Sequence, residues 1–229
     1  MAETTSGTQL FNLPIDDIIQ DAYNMLGGEH TTGYDAVQAR RALNLLFIEL
    51  QNRKIPLGNI KEHTLNLTEG TSSYELPDYV IDVLDAYIVR DSMDYEVERI
   101  SLFEYNEITD KAQKGRPTQF AIHRERDNCK LFLYQSPENS TDIFTYWSFD
   151  KNEDVTKSYQ LLDISTRFLP AIIYGLAHKL SIIRPGITLE RSMKLEQEFE
   201  KALMFAFEED RERTDFYVSP CIPSVLSRV

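Results

Sequence analysis

Thr64-Leu65-Asn66-Leu67-Thr68 and Ser73-Tyr74-Glu75-Leu76 alternate polar and apolar side chains, and the two segments are separated by Glu69-Gly70-Thr71, a turn sequence. A period of two is that of a half-buried strand, and two such runs joined by a Gly-containing turn begin a β region. The residues before them repeat differently. Ile15, Ile18, Ile19, Ala22, Met25 and Leu26 keep the i, i+3, i+4, i+7 spacing of an amphipathic helix, with Pro14 at its start and Gly27-Gly28 at its stop. A capping sequence, Thr32-Gly33-Tyr34-Asp35, then precedes Ala36, Ala39, Leu43, Leu46, Phe47 and Leu50, the stripe of a longer helix that ends before Pro56. The short connection between these helices predicts an antiparallel pair.

The change of period near Lys61 therefore divides the chain. Strands are expected at 80–89, 95–100, 119–123, 130–134 and 143–149, interrupted by a short helix over 102–108. The last three read as a meander with turns at Arg126-Asp127-Asn128 and Ser136-Pro137-Glu138-Asn139. Helical spacing returns at Leu169-Pro170 and runs through Ile172, Ile173, Leu176, Ala177 and Leu180 to Pro185-Gly186. A fourth helix follows from about 189 to 213, with Met193, Leu195, Phe199, Ala202, Leu203, Ala206 and Phe207 expected inward. Two helices, a β segment and two more helices predict an α+β fold: a four-helix bundle-like core with an inserted antiparallel β unit. The expected units are residues 1–60 and 151–213 for the two helical pairs, 61–150 for the β domain, and 214–229 for an extended arm.

That arm contrasts with what precedes it. After the charged run Glu208-Glu209-Asp210-Arg211-Glu212-Arg213, the stretch 216–229 carries no acid, and Pro220 and Pro223 keep it out of a helix. Phe216, Tyr217, Val218, Ile222, Val225 and Leu226 give it more apolar surface than an extended tail buries alone, so it reads as a segment that docks on a partner protein.

With 37 acids against 24 bases among 229 residues, the formal charge is -13, which disfavours non-specific binding to nucleic acid or anionic lipid. Residues 1–7 lack the basic and apolar regions of a signal peptide, and no apolar run nears the ~20 residues of a membrane span, so the chain reads as cytoplasmic in origin with no membrane partner. Cys129 and Cys221 form no CxxC pair. His30, His63, His123 and His178 show no HxH, HExxH or HxxxH spacing, and Gly27-Gly28-Glu29-His30 lacks the ending of a P-loop, so neither metal nor cofactor is expected.

Glu62, Glu75 and Asp82 cannot be nominated as a glycosidase pair on number alone. Ser101, Ser148 and Ser181 sit in no G-x-S-x-G elbow, and Cys129 has no partner histidine in a local signature, so no catalytic constellation emerges. Glu196, Glu200, Glu208, Glu209, Asp210 and Glu212 on the last helix read as a solvated face, or alternatively as a repulsive lining past which DNA slides without sticking. Phe144, Tyr146, Trp147 and Phe149 read as strand core rather than as a base-stacking platform, since few basic residues accompany them.

The run Ala39-Arg40-Arg41-Ala42-Leu43-Asn44-Leu45-Leu46-Phe47-Ile48-Glu49-Leu50-Gln51-Asn52-Arg53, after a first helix ending in Leu26-Gly27, resembles the start of head-to-tail adaptor proteins of short-tailed bacteriophages, of the tail tubular protein A or head-completion type. Gly115-Arg116-Pro117-Thr118-Gln119-Phe120-Ala121-Ile122, Lys130-Leu131-Phe132-Leu133-Tyr134 and Ser136-Pro137 are similar to the β unit of such proteins, and the Leu169-Pro170 helix and acidic last helix complete the order. The resemblance implies a structural virion protein, assembled in the host cytoplasm into a ring below the portal, commonly of twelve copies. It would extend the DNA channel without binding DNA specifically, and would offer a platform to tail nozzle or fibre proteins. It also implies that the C-terminal arm reaches the portal protein. Some head-completion relatives degrade cell wall, which makes a muramidase-like tail protein the alternative, but no matching catalytic residues are present.

Overall fold

The structure is a computed structural model in which residues 11–27, 33–55, 57–157 and 159–210 are described. Among them are five α-helices: α1 (Ile15–Leu26), α2 (Gly33–Asn52), α3 (Leu102–Glu107), α4 (Leu169–Ile183) and α5 (Leu189–Asp210). Helix α1 begins after Pro14, with Asp16 and Asp17 facing the positive end of the helix dipole. It stops at Gly27, whose φ of 78° is left-handed and costs glycine nothing. Helix α3 starts on a capping box, with Ser101 Oγ accepting from the Glu104 amide and the Glu104 carboxylate accepting from the Ser101 amide.

The helical core is not the four-helix bundle that the period suggests. Helix α4 is apolar on nearly every side, burying Leu169, Ala171, Ile172, Gly175, Leu176, Ala177 and Leu180, so one partner cannot cover it. It sits in the middle and packs on α1, α2 and α5. Helices α1 and α2 touch only lightly instead of forming the expected antiparallel pair. Ile55, Leu57, Val155 and Phe168, from connecting segments and a 3-10 turn at Thr166–Phe168, complete the cluster. Among the described residues the fold is thus a helical layer organised around one central helix, joined to three sheets of ten strands.

Gly175 permits the close approach at that centre. A Cβ there would lie 2.9 Å from Phe199 Cε2 and 3.0 Å from Leu46 Cδ2. Gly175→Val gains less than about 1 kcal/mol of helix propensity, against an overpacking cost of about 1–3 kcal/mol. Sterics win, and calorimetry should show a lower Tm; an unchanged Tm would mean that Phe199 moves aside freely.

The strands are β1 (Ile60–Asn66), β2 (Ser73–Glu75), β3 (Val80–Arg90), β4 (Met93–Glu96), β5 (Glu98–Arg99), β6 (Lys114–Gly115), β7 (Gln119–Arg124), β8 (Cys129–Tyr134), β9 (Ser136–Pro137) and β10 (Ile143–Asp150). They form two four-stranded sheets, β1-β10-β3-β4 and β2-β8-β7-β5, and a small parallel ribbon, β6-β9. Val83, Ala86, Ile88, Phe144 and Tyr146 of the first sheet and Phe120, Leu131 and Leu133 of the second share one apolar cluster. Phe120 meets Phe144 edge-on at 6.0 Å between centroids.

Several pairings differ from expectation. β1 and β2 do not form a hairpin: β1 pairs with β10 and β2 with β8, and Leu67 is buried where the chain crosses between sheets. The single strand expected over 95–100 is divided at buried Val97, leaving β4 in one sheet and β5 in the other. β7 and β8 form the expected hairpin, but β10 leaves the meander for the first sheet. Ser136-Pro137 is strand rather than turn.

At the far end of β3, Arg90 grips the segment before β10. Its Nε donates to Asp142 Oδ1 at 2.8 Å and its Nη2 to Asp142 Oδ2 at 2.6 Å, while Nη1 reaches Glu138 Oε1 at 2.6 Å. Asp142 has no exposed side-chain surface.

Candidate assembly surfaces

On α5, Leu195, Phe199, Leu203 and Ala206 are buried, so the opposite side is solvent-facing. Glu196, Glu200, Glu208 and Glu209 are all exposed there. Glu200 is not merely solvated, because Arg53 Nη1 donates to it at 2.7 Å from the end of α2. The same guanidinium bonds Glu49 at 2.9 Å, and Lys179 reaches the other Glu49 oxygen at 2.6 Å. These contacts tie α2, α4 and α5 together.

The bond from Lys179, offset in part by burial, holds the Glu49 carboxyl below its ordinary value of 4.5. Its stabilising contribution is complete above that ordinary value and is lost as pH falls through the lower folded value. Asp210 ends α5, but its side chain lies outside the described residues, as do Glu212 and the arm residues Phe216, Tyr217, Val218, Ile222, Val225 and Leu226. Met193, expected inward, is instead 55% exposed.

The helices also carry apolar surface that the core stripes do not include. In α2 the core takes Ala39, Ala42, Leu43, Leu46, Phe47 and Leu50, leaving Val37, Leu45 and Ile48 exposed on the reverse side. The run Leu45-Leu46-Phe47-Ile48 is the sequence signal for this, since four consecutive apolar residues on a helix cannot all face one way. Across a groove of about 300 Å³ lined by Gln38, Arg41, Ala42, Leu45, Lys179, Ile182 and Ile183, the end of α4 exposes Ile182 and Ile183.

Residues weighed for chemistry hold structural positions. Asp82 is clamped by Arg99 at 2.9 Å and by Arg124, and Glu62 accepts from the Tyr87 hydroxyl at 2.7 Å. Glu75 pairs across strands with Lys130 in the β2–β8 ladder. Ser101 is a helix cap, and Ser181 donates to the His178 carbonyl at 2.6 Å.

Ser148, Asp150 and His63 do meet. Ser148 Oγ donates to Asp150 Oδ1 at 2.5 Å, and His63 Nε2 lies 2.9 Å from Asp150 Oδ2. The carboxylate stands between serine and histidine, so the histidine is not placed to take the serine proton as a general base would. Burial pushes the Cys129 thiol up, away from a reactive thiolate. It also raises the Tyr146 phenol to about 12. Tyr146, Phe144 and Phe149 are core, while Trp147 is 40% exposed.

Among the described residues no group of three or more His, Cys, Asp or Glu could hold a metal ion, and no helix is long and apolar enough to cross a membrane. The chain presents exposed apolar helix faces and charged clusters tied into the fold, an arrangement suited to binding other proteins. No curated protein matches the sequence. The SU10 adaptor protein family, by contrast, matches residues 3–221, a span that takes in both helical segments and the whole β region. That match bears out the likeness to phage head-to-tail adaptors, and the chain belongs to the SU10 adaptor protein family.

Proposed function

We propose that the chain is the repeating subunit of a ring seated below the portal of a phage particle, where it extends the DNA channel and receives the nozzle or fibre proteins of the tail. The family match over residues 3–221 carries this reading: it makes the chain a phage structural adaptor, and an adaptor in the virion contacts portal and tail proteins. Twelve copies, assembled in the host cytoplasm, fit the resemblance on which the ring rests. Affinity then comes from many modest contacts made simultaneous by the ring, and the subunit acts by binding without turnover.

The formal charge of -13 suits a channel that DNA passes without specific binding. Residues 61–150 serve as the platform, with 1–60 and 151–213 as the ring body and 214–229 as the portal-docking arm. Supporting this division, Ile60 of β1 pairs with Phe149 of β10, so the β region leaves and rejoins the helical layer at adjacent points.

Negative-stain imaging of the purified protein mixed with portal tests the reading. Additional density in a closed ring under each portal, with twelve-fold symmetry, is expected. Bare portals beside free monomers at micromolar concentration would reject it.

A further inference from the structure

Two helix faces are exposed, apolar and complementary in charge. The first is the outer side of α2, where Val37, Arg41, Leu45 and Ile48 recur along one stripe and continue over the groove to Ile182 and Ile183 of α4, with Lys179 on the rim. The second is the outer side of α5, where Met193, Glu196, Glu200, Met204 and Glu208 form one stripe at i, i+3, i+7, i+11 and i+15, all exposed. Leu189 and Phe205 flank it, also exposed.

Neither stripe pairs well with itself. Two α5 faces brought together set Glu196 and Glu208 against like charge, with the exposed Lys194 and Lys201 beside the stripe rather than on it, and two α2 faces set Arg41 against Arg41. Unlike faces match: methionines fill an irregular groove well because their side chains are unbranched and adaptable, and Glu196 and Glu208 meet Arg41 on the rim, Lys179 and Glu200 being already paired within the copy with Glu49 and Arg53. Contact between unlike patches is heterologous, which propagates from copy to copy and closes when the rotation permits.

We propose, on the ring reading given above, that the outer face of α5 in one copy docks on the α2–α4 groove of the next. Leu45, Ile48, Ile182 and Ile183 then meet Met193 and Met204, with Arg41 opposite Glu196 or Glu208.

Cysteine cross-linking on the full chain tests this. Cys129 is buried and Cys221 is replaced by serine, so Leu45→Cys and Met204→Cys are the reactive positions for a short bismaleimide. Both in one chain should give a ladder of linked subunits. Either alone should give none, and the two single variants mixed should stop at dimers. Dimers from Leu45→Cys alone or from Met204→Cys alone would show a self-complementary contact and overturn the proposal.

With Cys221 restored, a link from Leu45→Cys to Cys221 in place of the ladder would put the chain's own terminal segment in the groove, which also overturns it. Charge reversal gives an independent reading. Arg41→Glu, or Glu196→Lys with Glu208→Lys, should each lower the ladder yield about tenfold, and mixing the two variants should restore it; no rescue rejects the pairing. Multimers seen by sedimentation without the expected links reject this interface alone. Protein that stays monomeric at every concentration and on the portal rejects the ring with it.

Discussion

Deleting Phe216 to Val229 is expected to abolish attachment to the portal while leaving Tm nearly unchanged. The helical core closes through Leu195, Phe199, Leu203 and Ala206, and Phe207 meets Phe168 edge-on at 6.2 Å, all before the deletion begins. Burying one large apolar side chain is worth about 1.5–3 kcal/mol. Two anchors drawn from Phe216, Tyr217, Ile222 and Leu226 therefore supply roughly 3–6 kcal/mol per subunit, and a ring multiplies the effect. Co-sedimentation with portal and a melting curve read the two quantities separately. The competing picture has the arm covering exposed apolar residues of its own α5, such as Met204 and Phe205. A truncated protein that melts several degrees lower yet still decorates portals would establish that picture instead.

The largest single-residue effect on stability is expected at Arg90. Arg90→Met removes both donors to Asp142 and strands a carboxylate with no exposed side-chain surface. Breaking a buried pair from one side costs about 3–5 kcal/mol. At about 2–4 °C per kcal/mol for a chain of this size, Tm should fall by roughly 6–20 °C. Glu138→Ala is the control, because that partner is nearly half exposed and its loss should cost no more than about 1 kcal/mol. Replacing Arg90 and Asp142 together, by Met and Leu, should recover most of the loss, since no charge is then stranded. Equal melting of the two single variants would show that the Asp142 carboxylate finds water once Arg90 is gone.

Elements were legible where a local signal sufficed. Pro14 and Gly27 bound α1 because one fixes φ and the other tolerates the left-handed turn, and the alternation of Cys129 to Tyr134 matches the alternating burial of β8. Pairing was not legible. Period two tells which side chains share a face but not which strand lies alongside, so the partners of β1 and β2 stayed hidden behind the turn at 69–71. Helical period likewise marked α4 as apolar without saying that it would occupy the centre. Among surface residues, the α5 glutamates were visible as exposed, whereas the bond from Arg53 to Glu200 depends on helices 147 positions apart in sequence. The reverse stripe of α2 was present in Leu45-Leu46-Phe47-Ile48 but overshadowed by the stronger core stripe.

The central position of α4 also sets an order of events during synthesis. α1 and α2 bury their stripes mainly against a helix that begins more than a hundred residues later. At about 5–20 residues per second, they wait roughly 6–30 s on the ribosome before that surface exists. The β region between them closes its own apolar cluster from residues within 67–146 and can finish during the wait. A nascent chain is thus expected to expose two helices with bare apolar stripes until α4 emerges, an interval in which a holding chaperone would find its binding surface.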